Sequence, residues 1–332
     1  MRVRVPATSA NLGPGYDSFA LALALYDDVV ARVSEEPGLR VAVHGEGAES
    51  VPRSAEHLVA KAMFAAFDVL GGRPDGLDMV CHNRIPHGRG LGSSAAAIVA
   101  GVLLARALVD GAEDQLPGPS VLELVHGIEG HPDNVAACLG GGFTVAWLDQ
   151  GPESTGASVG ALSLPVTASV VPVVCIPSHQ VPTATARGVL PSEVPHRDAA
   201  VNVSRGALLV AALSAAVGRT DLLMTATQDL LHQPYRQPVY PGSSELMAAL
   251  RGSGIPATIS GAGPTVLALA APDTAQRVAA VAGGGFTTYV LGIDAVGATL
   301  VTVDDDDLTR LGDRPAPTRR GDGLTEAPTV LQ

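Results

Sequence analysis

Lysine is almost missing from this chain. Of 21 basic residues in 332, only Lys61 is a lysine. Any anion the protein handles therefore falls to arginines, backbone amides or a metal ion. Aromatic residues make up 3% of the sequence against 46% hydrophobic residues overall, so the core is packed from Ala, Val and Leu. Cys81, Cys138 and Cys175 are odd in number and form no C-x-x-C pair. That argues against a disulfide frame or a cysteine zinc site and points to reduced thiols in the cytoplasm. Positive charge is scarce: the formal net charge is −12, which argues against nucleic acid or an anionic membrane as partner. Long apolar runs are also absent. Phe19–Leu25 is bracketed by Asp17 and Asp27-Asp28, too short to span a bilayer, and Met1–Val5 alternates like a strand without an apolar signal core. A small-molecule substrate is the partner class that remains, with a homodimer left open.

Against these shortages stands one dense stretch, Pro86-His-Gly-Arg-Gly-Leu-Gly-Ser-Ser-Ala-Ala-Ala-Ile-Val-Ala-Gly101. Gly88, Gly90 and Gly92 form a loop able to adopt φ > 0 and to let a ligand reach bare backbone. Ala95–Val109 is nearly all apolar and reads as a buried helix, with Ser93 and Ser94 at its start where N-caps belong. A glycine loop feeding a helix N-terminus is a phosphate site. The spacing matches neither the dinucleotide fingerprint, nor a Walker A loop, nor a nucleophile elbow.

The first half of the chain reads as strands at Val3–Val5, Phe19–Val33, Leu39–Val43 and Leu77–His82, with a helix over Ala55–Leu70. Pro6–Asp17 reads as a polar loop, and Ser120–Glu129 as a helix in which Ser120 and Glu123 fit a capping box. Gly130–Val135 follows that helix, Leu139–Phe143 reads as a turn into another strand, and Gly151–Gly160 as a domain junction. The second half reads as strands at Ala168–Ile176, Ile255–Ile259 and Val266–Ala270. Thr287–Leu291 and Ala298–Val303 are expected to complete their sheet. Helices are expected at Asp198–Val217, Asp221–Leu231, Ser243–Arg251 and Thr274–Val281, and a loop or short helix at Val181–Pro191. His232–Arg236 reads as a polar turn. The Pro-, Gly- and charge-rich tail reads as disordered.

The glycine stretch, P-x-G-x-G-L-G-S-S-A-A, resembles the second motif of the GHMP kinases, small-molecule kinases named for galactose, homoserine, mevalonate and phosphomevalonate. Pro6-Ala-Thr-Ser-Ala-Asn-Leu-Gly-Pro-Gly-Tyr-Asp17 is similar to the first motif in its homoserine kinase form, and Ser260-Gly-Ala-Gly-Pro-Thr265 to the third. The order and spacing follow the family over roughly residues 1 to 303. The resemblance implies an α+β fold of two domains. An N-terminal, ribosomal-S5-domain-2-like nucleotide-binding domain (residues 1–155) would precede a ferredoxin-like C-terminal domain (156–308) and a disordered tail (309–332).

The resemblance also implies an activity: transfer of the ATP γ-phosphoryl group to the hydroxyl of L-homoserine. ATP would contact Pro86, His87, Gly88, Arg89, Gly90, Leu91, Gly92, Ser93, Ser94, Ala95 and Ala96. His57 stands where the family has an asparagine near the nucleotide. Mg²⁺ would be held by Ser94 and Glu123, the latter chosen for its distance before His131, with Glu129 as the alternative. Homoserine would meet Asn11, Asp17, His131, Asn134, Thr183, Arg187, Arg236 and Gly261. Arg187 and Arg236 would clamp its carboxylate and Asp17 would orient its hydroxyl. The catalytic set implied is Asp17, Glu123, Asn134 and Arg187. The rival readings are a GHMP kinase for another alcohol such as mevalonate, and a non-catalytic binding protein on the same fold.

Overall fold

Period-two alternation builds the strands and continuous Ala, Val and Leu stripes build the helices. The computed structural model describes residues 1–149, 158–303 and 329–331. The first half runs β1 (Arg2–Asn11), β2 (Gly15–Val33), β3 (Gly38–Gly45), α1 (Leu58–Val69), β4 (Gly76–Asn83) and α2 (Ser93–Ala107). It continues through α3 (Ala112–Gln115), α4 (Gly118–Glu129), α5 (Pro132–Gly140), β5 (Phe143–Asp149) and β6 (Ser158–Leu164). The second half runs β7 (Val171–Pro177), α6 (Thr183–Gly188), α7 (His196–Leu213), α8 (Leu223–Ala226), α9 (Gln233–Arg236) and α10 (Pro241–Gly252). It ends with β8 (Ala257–Ile259), β9 (Val266–Ala270), α11 (Ala275–Ala282), β10 (Phe286–Val290), β11 (Thr299–Val301) and β12 (Thr329–Leu331).

The first sheet has the order β11-β1-β2-β4-β3, with β5 on the other part of β2 and β6 beyond β5. β2 is 19 residues long and serves two partners: Asp28–Val33 pairs with β4, and Phe19–Leu21 with β5. The β1–β2 register slips after Pro6, which has no N–H to give the ladder. The second sheet is antiparallel throughout, in the order β12-β10-β7-β9-β8. Its two faces serve two cores. Val174, Leu267 and Leu269 join the main core around α2, while Val173, Cys175 and Val266 pack with Leu246 and Leu250 of α10. The buried α2 lies close against α1. A Cβ on Gly101 would stand 2.4 Å from the Val59 carbonyl, so the glycine permits that approach. No helix among the described residues is long and apolar enough to cross a membrane.

Several expectations need correction. The polar stretch after Val5 is not a loop but the continuation of β1 to Asn11, buried because it lies between sheet and phosphate loop. Pro132–Gly140 is a helix, hidden in the sequence by its Pro and Gly ends. α4 starts after an N-cap at Pro117, so Ser120 and Glu123 form no capping box. Asp221–Leu231 is helical only as a 3₁₀ turn at Thr220–Leu222 and the single turn α8. β11 does not complete the second sheet with β10; it returns to pair with β1. Within the expected tail, β12 pairs with β10, while the rest of that tail and most of the expected junction at 151–160 lie outside the described residues.

Arg2 and Arg4 alternate onto one side of β1, and both reach Asp28 of β2, at 2.7 and 3.1 Å. Arg84, just past β4, adds a third contact at 2.8 Å. Burial pushes the Asp28 carboxyl up, but hydrogen bonds from Arg4, Arg84 and Arg2 outweigh it and hold it near about 2, against an ordinary 3.8. A depressed carboxyl stabilises the fold above its unfolded value, and that contribution is lost as pH falls through the folded one. The guanidinium groups are partly exposed, so Asp28→Asn should cost about 1–3 kcal/mol at neutral pH. The gap from wild type should narrow as pH falls from about 4 toward about 2. Urea midpoints across that range check it; a gap independent of pH would mean the loss does not come from the charge.

Candidate active site

The glycine loop is held from behind. Four consecutive carbonyls are taken by protein donors. The Val181 amide donates to Gly88 at 3.1 Å, the Thr265 amide to Arg89 at 3.3 Å and the Thr8 amide to Leu91 at 3.1 Å. The Ser260 hydroxyl donates to Gly90 at 2.6 Å. With the carbonyls turned away, the amides from Gly88 to Ala95 meet no acceptor among the described residues. Gly88, Gly90 and Gly92 all have φ between 65° and 75°. Gly92, not a serine, is the N-cap of α2. Ser93 and Ser94 are therefore the first helical residues, and their hydroxyls are free of capping duty. Such a row of free amides at the positive end of a buried helix fits a polyphosphate.

Two cavities meet at Ser93 and Ser94. The larger, about 240 Å³, is lined by Val5, Val29, Val51, Leu58, Val59, Ala96 and Ala97, with Asp27, Asn83, His57 and His87 at its edge. Its apolar walls suit a flat heterocycle. His57 is 5% exposed, and its Nδ1 has no hydrogen-bond partner. Burial pushes both His57 and His87 below their ordinary value. Asp27, missed in the sequence, is pushed up to about 7 by burial, although the amides of Ile85 and Arg84 donate to it.

The smaller cavity, about 150 Å³, is polar. It brings together Asn11, Gly88, Gly90, Gly92, Glu129, His131, Asp133, Asn134, Thr183, Arg187, Arg236 and Gly261. Motif one reaches motif three through Asn11, whose Nδ2 donates to the Gly261 carbonyl at 2.8 Å and whose Oδ1 accepts the Asp17 amide at 3.0 Å. Asn11 and Asp17 both sit at positive φ, which Asn and Asp tolerate better than other side chains. Asn134 Oδ1 accepts from the Thr8 hydroxyl at 2.7 Å, which turns its amide N–H groups away from Thr8. Burial, then Arg187, pushes the His131 imidazole below its ordinary value.

Six sequence candidates fall elsewhere. Glu123 is exposed and lines neither cavity. The spacing argument fails because α4 ends at Glu129 with Gly130 in the left-handed region, and only Gly130 and His131 join it to α5. The last turn of α4, not its second, thus reaches the phosphate loop. There the Ser94 hydroxyl donates to Glu129 Oε2 at 2.7 Å. Asp17 lines neither cavity; its carboxylate is engaged by Arg187, with Nη1 donating to Oδ2 at 3.1 Å and Nη2 to Oδ1. Arg89 also lines neither cavity. Its guanidinium donates to the carbonyls of Pro177 (3.0 Å) and Ser178 (2.7 Å), stapling the loop to the end of β7. Pro86 and Leu91 also line neither cavity, and the Leu91 side chain is 1% exposed. The Ala95 side chain is wholly buried; only its amide is available to a ligand.

Asp133 is a second residue the sequence reading passed over. It is 2% exposed, lines the smaller cavity, and is pushed up to about 7 by burial. No spacing rule singles it out; its position one residue before Asn134 at the start of α5 was the available signal. Glu129 is likewise raised, first by burial.

The chain matches the GHMP kinases N terminal domain over residues 56–142 and the GHMP kinases C terminal domain over residues 209–284. It is 55% identical over 301 residues to a homoserine kinase of Streptomyces coelicolor, covering 91% of this chain and 94% of the relative. The homoserine kinase of Streptomyces avermitilis is 54% identical, with 91% and 95% covered. A solved homoserine kinase from Cytophaga hutchinsonii superimposes with a TM-score of 0.77 at 28% identity, covering 91% of this chain and 97% of that one.

The loop geometry makes a direct prediction. A Cβ on Gly92 would lie 1.9 Å from Thr8 Oγ1. The collision and the left-handed φ together should make Gly92→Ala weaken nucleotide binding by roughly tenfold or more. Adding Thr8→Ala should recover part of the loss. Calorimetric titration with a non-hydrolysable ATP analogue reads both variants. Unchanged affinity in a folded Gly92→Ala would detach the loop from phosphate binding.

Proposed function

The chain belongs to the GHMP kinases, and from that membership and its cleft we propose that it phosphorylates L-homoserine, turning ATP and homoserine into ADP and O-phospho-L-homoserine on the way to threonine. The observation that carries this reading is the shared wall. Free loop amides for a polyphosphate and a cluster of Arg236, Thr183, His131 and Asn134 for a small zwitterion open into one cavity. Three buried free cysteines support a reducing, cytoplasmic setting.

The base of ATP occupies the apolar cavity and its phosphates lie across the loop amides to the start of α2. Ser94 and Glu129 fit a Mg²⁺ site. They offer hard oxygen donors at the mouth of the phosphate loop, and burial leaves the Glu129 anion in need of a cation. Mg²⁺ takes few protein ligands and completes its shell with phosphate and water, so this pair suffices. When bound, the ion neutralises phosphate charge. Arg236 meets the homoserine carboxylate, with Thr183 and the Gly261 region bounding the amino-acid end. The amide N–H groups of Asn134 meet the reacting oxygens. Phosphoryl transfer passes through a loose transition state, so positioning and electrostatics dominate over proton removal. Asp17 is committed to Arg187. Among the lining carboxyls not committed to the metal, Asp133 has a proton affinity near neutrality suited to accepting the hydroxyl proton.

The rival alcohol mevalonate carries a carboxylate but no ammonium, so ADP release across homoserine, mevalonate, galactose and shikimate decides the substrate. Turnover should be confined to homoserine. Glu129→Gln should lower kcat by roughly a hundredfold or more, as expected for a lost metal ligand. Glu123→Gln should stay within about twofold of wild type, as an exposed residue off the site does. The reverse pattern returns the metal role to Glu123.

A further inference from the structure

Arg187 and Arg236 come from different helices, α6 and α9, yet face one cavity. Two guanidinium groups repel each other, so something must fix their spacing. Tyr16 lies behind both. Its phenol oxygen accepts from Arg187 Nη1 at 2.8 Å and from Arg236 Nη2 at 3.3 Å. Both guanidinium carbons also lie over its ring, 5.1 and 5.2 Å from the centroid.

The ring is itself braced. His232 stacks on Tyr16 with centroids 3.9 Å apart and planes 5° from parallel. Asp229, fully buried at its side chain, holds His232 through the ring Nδ1 at 3.2 Å and the backbone amide at 3.1 Å. It also accepts the amides of Leu231 and Gln233, fixing the start of α9 that carries Arg236. Arg236 Nε donates to the Ala186 carbonyl, next to Arg187, at 2.8 Å. Tyr16 lines neither cavity.

We propose that Tyr16 is a positioning residue whose hydroxyl sets the two arginines apart and aims Arg236 at the substrate carboxylate. The neighbouring Asp17 pairs with Arg187, and both guanidinium groups line the smaller cavity. The ligand class is a small alcohol bearing an α-amino acid carboxylate, and the proposal rests on the homoserine reading for that identity.

The conservative variant is Tyr16→Phe, which keeps the ring, the stack and the cation–π contacts and deletes only the acceptor oxygen. It should raise the homoserine KM by roughly tenfold or more, the scale of a lost hydrogen bond to a charged group, with kcat and the ATP KM within about twofold. The analogue with its carboxylate reduced to an alcohol should be used equally well by wild type and Tyr16→Phe. In an Arg236→Ala background, adding Tyr16→Phe should change the homoserine KM little. An unchanged KM, or equal losses on homoserine and the alcohol analogue, overturns the proposal. A second readout needs no substrate. Solvent exchange of the Arg236 Nε proton, followed by NMR in the ligand-free protein, should quicken in Tyr16→Phe. No change there overturns the proposal even if the wild type proves inactive on homoserine, an outcome that would sink the substrate reading alone.

Discussion

Four carbonyls in a row, Gly88 to Leu91, are pulled backward by Val181, Thr265, Ser260 and Thr8, and the site depends on that pull. A peptide plane has two polar ends, so fixing its oxygen fixes the direction of the neighbouring N–H. The loop's shape owes nothing to flexibility. The rest of the fold has already used the carbonyls of Gly88 to Leu91, leaving the amides aimed forward and unsatisfied. The donors come from β1, from the turn after β8, and from the segment after β7, which are far apart in sequence. This explains why the three glycine- and serine-rich stretches keep their order and spacing: each completes the hydrogen bonding of the others.

The same economy governs charge. With one lysine in the chain, arginine supplies nearly every cation, and several arginines are engaged by backbone carbonyls or carboxylates. Arg89 staples backbone, Arg187 is neutralised by Asp17, and Arg2, Arg4 and Arg84 surround Asp28. A planar fork with five donors suits these multi-carbonyl and carboxylate contacts better than a point charge would.

Much was legible in the sequence where local chemistry decides the outcome. The α2 helix, the strands β2, β4 and β9, and the lining residues Asn11, His131, Asn134, Thr183, Arg236 and Gly261 follow from patterns carried by contiguous residues. What escaped depended on distance in space. Glu123 was favoured over Glu129 because spacing was counted along the chain, whereas the two-residue turn at Gly130-His131 decides which helical turn meets the loop. Arg89 looked like a phosphate ligand because it sits in the loop, and only the fold reveals carbonyls within reach on the far side. Pro132–Gly140 was hidden because proline opens it and glycine closes it, a pattern that also describes loops. The raised carboxyls of Asp27 and Asp133 reflect burial, which no local pattern encodes.

The placement of β11 has a consequence for how the chain is made. Residues Thr299–Val301 cover the outer edge of β1, which begins at Arg2. A nascent chain emerging from the ribosome therefore carries β1 with a bare row of amides and carbonyls until nearly three hundred further residues have followed. β5 faces the same delay on a shorter scale, waiting for Ser158–Leu164. A fragment cut at residue 155 would lack both covers. The first sheet is thus completed by a strand that follows most of the second sheet in the chain, so the first half of the chain does not hold all the strands of its own sheet.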